Sequence, residues 1–99
     1  MKFMVTWSID QDKWIPILEK WNSMTPEQLA DAGEGVTLVG RWHELTSRTG
    51  VAIVEASDAI AVHRYLNQWN PHMDMDVAPV LDDDECTAAI KVILQDHAG

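Results

Sequence analysis

Cysteine is almost absent from this chain of 99 residues, where Cys86 stands alone. One thiol excludes an internal disulfide and any metal site built from several cysteines, and it makes a reducing, cytoplasmic setting the expectation. Basic residues are scarce as well. Seven Lys and Arg stand against sixteen Asp and Glu, a formal net charge of −9, and the bases form no cluster. Proteins that grip nucleic acid neutralise phosphates with a cationic patch, so nucleic acid and anionic membrane are excluded as partners. Long apolar runs are missing, so no membrane-spanning segment is expected. The amino-terminal MKFMVTWSID alternates and meets Asp10 and Asp12 too early for a secretory core. Repeats, linkers and low-complexity stretches are absent. So are a Ser-His-Asp order, a phosphate-binding glycine loop and zinc-ligand spacing, and no cofactor or metal is assigned. The length suits one domain spanning residues 1–99.

What is present is organised around His72 to Leu81, HMDMDVAPVL. Side chains on a strand switch faces at every residue. His72, Asp74 and Asp76 therefore share one face, and Met73, Met75 and Val77 the other, apolar one. Upstream, Lys2 to Ile9 alternates in the same way, with Phe3, Val5 and Trp7 opposite Met4, Thr6 and Ser8. Trp14, Ile17, Leu18 and Trp21 then recur at helical spacing, with Pro16 tolerated near the first turn. Thr25-Pro26-Glu27-Gln28 carries the signature of a second helix start, a capping hydroxyl answered by a glutamine three residues on. Gly33 is a natural stop.

Gly35 to Leu45 and Gly50 to Ala56 read as a hairpin. Ser57 or Asp58 caps a helix whose stripe is Val62, Tyr65, Leu66 and Trp69, ended by Asn70-Pro71. After the organising strand, Asp82 to Glu85 opens a last helix with Cys86, Ala89, Ile90, Ile93, Leu94 and His97 on one side. The order β-α-β-β-α-β-α predicts an α+β fold, a ferredoxin-like βαββαβ unit with an extra C-terminal helix. Its four-stranded antiparallel sheet has the first and third strands central and helices on one face.

The other face is expected to carry Met4, Thr6 and Ser8, then Thr37, Val39, Arg41 and His43, then Ala52, Val54 and Ala56, with His72, Asp74, Asp76, Ala78 and Val80 on the last strand. So much apolar area on an open face marks an interface. A second copy presenting the same sheet would cover it, which makes a homodimer the expected partner state and Val39, Arg41, Val54 and Asp76 its contact residues.

GRWHEL at Gly40 to Leu45, GVAIVE at Gly50 to Glu55 and DVAPVLDDDE at Asp76 to Glu85 together resemble an uncharacterised bacterial family. That family is a domain of unknown function within the dimeric α+β-barrel superfamily, and the resemblance runs through essentially the whole chain. It implies a fold and a homodimer but no substrate. Relatives in the wider superfamily include cofactor-free monooxygenases, lactone isomerases and haem proteins, and a shared fold does not carry their activities over.

His72-x-Asp74-x-Asp76 is the most suggestive constellation. Its members lie roughly 7 Å apart on a strand, near enough to share a metal or to let a carboxylate orient an imidazole. They would equally serve as a solvated rim. His43 and Arg41 are expected to meet His72, Asp74 or Asp76 of a second copy across the subunit seam, as a general-base pair or as plain ion pairs. His43, His72 and Asp74 are the catalytic candidates. Trp7, Trp42, Met73 and Met75 are the candidate walls of a pocket for a small hydrophobic or aromatic molecule, although core filling explains most tryptophans and methionines. The acids at 82–85 suit a helix N-terminus. Two functions remain open, a homodimer that binds or modestly transforms a small organic compound and a non-catalytic dimerisation or interaction module. Whether the chain is an enzyme stays undecided.

Overall fold

The computed structural model describes residues 1–99. It is a mixed α+β structure with one four-stranded antiparallel sheet and four helices. β1 (Lys2–Ser8) leads through a short 3₁₀ turn into α1 (Trp14–Ser23) and α2 (Pro26–Ala30). The hairpin of β2 (Val36–Glu44) and β3 (Thr49–Ala56) follows, then α3 (Ala59–Leu66), a 3₁₀ turn (Asn70–His72), β4 (Asp74–Val80) and α4 (Asp83–Ala98). The sheet runs β2-β3-β1-β4, so the first and third strands are interior.

Local chemistry explains where the helices begin. Thr25 Oγ1 accepts the Gln28 N–H at 3.2 Å, while Gln28 Oε1 accepts the Thr25 N–H at 2.9 Å. Asp82 and Glu85 repeat this reciprocal cap on α4. Such caps satisfy N–H groups that have no partner within the helix. Asp58 accepts the Ala61 N–H to start α3. Gly33 and Gly35, at φ +83° and +80°, turn the chain from α2 into β2.

One face of the sheet is covered by helices and holds the core. Phe3, Val5, Ala52, Val54 and Ala56 pack there against Val62 and Leu66 of α3. Beside them, Ile9, Ile17 and Trp69 form a second, smaller cluster. Burying a Val, Leu or Phe contributes about 1.5–3 kcal/mol each, so this face carries most of the folding energy.

Two strands present the opposite face from the one their alternation predicts. In β3, Ala52 and Val54 pair with Val5 and Phe3 and lie beneath the helices, leaving Val51, Ile53 and Glu55 on the open side. Val54 is completely buried in this chain, so it is a core residue and not an interface contact. In β2 the register skips between Leu38 and Gly40. This β-bulge at Val39 inserts one residue and reverses which residues face inward. Arg41 and His43 pair with Ala52 and Gly50 and so lie on the helix side, whereas Trp42 pairs with Val51 on the open side. Arg41 and His43 therefore face away from any second copy docked on the open sheet. Trp42, 60% exposed, does not wall an internal pocket.

β4 behaves as its alternation predicts from Asp74 onward. Asp74 and Asp76 share the open face with Ser8 and Thr6, and Met75 and Val77 share the inner face with Trp7 and Val5. His72 lies in the preceding 3₁₀ turn, outside the strand, so it is not the next member of the Asp74 and Asp76 row. α4 buries none of its residues and leaves Ile90, Val92, Ile93 and Leu94 exposed. The radius of gyration is 16.4 Å, against roughly 13 Å for a compact chain of this length. The C-terminal helix stands off from the rest.

Candidate functional site

Between the sheet and the helices α1 and α3 is a cavity of about 290 Å³. Its floor is the inner face of the sheet, with Val5 and Trp7 from β1, Ala52 and Val54 from β3 and Met75 from β4. α1 supplies Trp14, Ile17, Leu18 and Trp21, the stripe predicted from its spacing, and α3 supplies Tyr65 and Leu66. Ile9, Leu45, Thr49, Trp69 and Met73 close the ends. Fifteen of the eighteen lining residues are hydrophobic. Clefts of this kind, apolar with a few converging polar groups, are where small molecules bind.

The polar groups come from β2 because of the bulge. Arg41 and His43 both line the cavity. The Arg41 guanidinium lies 4.7 Å from the centre of the Trp21 ring. One of its Nη groups donates to the Leu29 carbonyl at 2.9 Å, tying α2 to the edge strand, and the other reaches Tyr65 Oη at 3.4 Å. Its charge is thus held by an aromatic face, a carbonyl and a phenol, and no carboxylate pairs with it.

His43, although still exposed, is flanked by two indoles, Trp21 at 4.8 Å between ring centres and Trp7 at 5.7 Å. Partial desolvation, helped by the Arg41 charge, pushes its pKa below the ordinary 6.5. The imidazole is accordingly neutral at neutral pH. Trp69 completes the aromatic wall, 6.2 Å from Trp21, with the Lys20 ammonium 4.6 Å from the centre of its ring.

Gly50 is the residue that makes room. It pairs with both Trp7 and His43 on the inner face. A β-carbon there would collide with the Trp7 indole, so only glycine lets that ring lie across the sheet. Neither Gly50 nor the Arg41–Tyr65 contact follows from alternation alone. The signal that could have exposed the β2 reversal is Gly40, since a glycine inside a strand often marks a bulge.

Of the residues expected to form a site, Trp7, Met73, Met75 and His43 come together in the cavity, joined by Arg41. His72, Asp74, Trp42, Val39 and Asp76 do not line it. No three His, Cys, Asp or Glu side chains gather in a way that could hold a metal ion. No helix is long and apolar enough to cross a membrane.

The fold and site together define a mixed α+β domain with one aromatic, apolar cavity that carries a cation and an imidazole on its edge strand. The chain belongs to the DUF3303 family, described as a domain of unknown function, whose model matches residues 1–94. No curated protein matches it.

Proposed function

We propose that this protein is a homodimer that binds a small, largely hydrophobic organic molecule, aromatic in character, in the cavity between its sheet and helices. The observation that carries this reading is the cavity itself, about 290 Å³ and walled by Trp7, Trp14, Trp21 and Trp69. An ordinary core of this size closes around its side chains, because interiors are packed as densely as organic crystals. Here four indoles surround open space. Any chemistry in the cavity would rest on His43 as a neutral base, because no aspartate or glutamate lines it. Binding is thus better supported than catalysis.

The open face supports the dimer. Met4, Trp42, Val51, Ile53 and Ala78 form its apolar centre, with Asp74 and Asp76 toward one end and Lys2 and Glu55 toward the other. Four strands of about seven residues offer on the order of 400 Å² of projected surface. The exposed apolar side of α4 offers further surface for the same contact. On this reading the sheet is ferredoxin-like and two copies complete a dimeric α+β barrel. The single cysteine suits a reducing, cytoplasmic setting. The alternative, a non-catalytic dimerisation module, is favoured by the same exposed face and helix and needs no ligand.

Thermal denaturation with a panel of one- and two-ring aromatic compounds separates the two. A ligand that binds only the folded state raises Tm, by several degrees once its concentration is about 100-fold above Kd. A stable dimer whose Tm no compound moves would favour the module.

A further inference from the structure

Resting on the reading of the cavity as a ligand site, we propose that its ligand is anionic, an aryl carboxylate or similar compound whose charged group is taken by Arg41 with His43 beside it. The inference comes from a mismatch in charge. The chain carries sixteen acidic residues against seven basic ones, yet none of those carboxylates pairs with Arg41. The ion pairs present involve only the amino terminus, Lys2, Glu55 and Asp82, at the far end of the sheet.

A half-buried guanidinium normally takes a carboxylate partner, because desolvating a charge without one is costly. In a protein with acids in excess, a cation kept free of them at the edge of an apolar cavity is a site held open for an external anion. Arg41 has five N–H donors and spends two of them, on the Leu29 carbonyl and the Tyr65 hydroxyl. The rest remain for a planar anion, and Arg–carboxylate contacts are among the strongest hydrogen bonds proteins form. The neutral His43 ring can donate one more N–H. Meanwhile the Leu29 carbonyl and the Trp21 face fix the guanidinium so that little is lost in ordering it. The size of the cavity limits the apolar part to one or two rings.

The test compares acids with their uncharged amides. Benzoate, phenylacetate and 1-naphthoate, each beside the matching carboxamide, are titrated into the full chain and followed by calorimetry. At least one acid should bind about tenfold or more tightly than its amide, the margin expected of a charge-assisted contact. In R41Q that ratio should fall to about one, with acid affinity lost by a larger factor than amide affinity, while R41K keeps part of it. A purely structural Arg41, holding α2 to the sheet, would lower Tm without changing the ratio. Amides that bind as well as the acids would overturn the anion proposal and leave the cavity as a ligand site. Failure of every acid and every amide to bind would remove both. If R41Q does not fold, the wild-type ratio together with R41K decides.

Discussion

The two faces of one sheet follow different rules. On the helix side, Val54 is sealed and Trp7, Trp21 and His43 pack ring against ring around a cavity. On the open side, Trp42 and Met4 are exposed, and no helix of the chain covers the equally apolar row there. Hydrophobicity alone does not distinguish the faces, since Ala52 and Val54 are no greasier than Val51 and Ile53. What distinguishes them is which residues a helix covers, and small alanines beneath α3 let that helix approach.

Substitutions that move one face and spare the other test this contrast. The largest effect is expected from Val54→Asp beside its neighbour Ile53→Asp. The first buries an unpaired charge and should cost about 3–5 kcal/mol, enough to unfold much of the population in urea titration. The second should leave the fold intact and, on the proposed homodimer, abolish self-association in sedimentation. Next come two glycines that each lie under an indole. Gly50→Ala pushes Trp7 out of place and should cost about 1–3 kcal/mol together with ligand binding. Gly40→Ala meets only the outer edge of the Trp42 ring, which can swing into solvent, so a change within about 1 kcal/mol is expected and cavity binding is kept.

The smallest effect concerns pH. Burial lowers the pKa of His43 in the folded chain, so the unfolded state binds more protons in the window below 6.5. Its contribution to stability is therefore complete above the unfolded value and is lost as pH falls through the lower folded value. The slope of stability against pH across that range should flatten in His43→Gln, measured by denaturant titration at several pH values.

Much of this arrangement was legible in the sequence. Alternation reads a strand from His72 to Leu81, which forms over Asp74–Val80. End chemistry reads the cap at Thr25, one at Ser57 or Asp58 that falls on Asp58, and a helix start in the acids 82–85 that Asp82 caps. Spacing reads the stripe from Trp14 to Trp21. The assignment of faces in β2 and β3 did not. Alternation identifies an inner face only when the other is polar, and β3 is apolar on both. In β2 one extra residue at Val39 reverses everything after it, a change of register that composition does not record. That reversal moved Arg41 and His43 into the cavity and Trp42 out of it. The role of α4 was hidden for another reason. Its apolar side is plain in the sequence, but whether it packs on its own chain or another depends on distant geometry.

The five tryptophans provide the most direct measurement. Each indole N–H gives its own signal in a nitrogen–proton correlation spectrum, assigned by single Trp→Phe replacements. Titration with an aromatic ligand should shift Trp7, Trp14, Trp21 and Trp69 and leave Trp42 in place, while dilution through the proposed dimer equilibrium should move Trp42 first. A ligand that shifts Trp42 and leaves the other four unmoved would contradict the account.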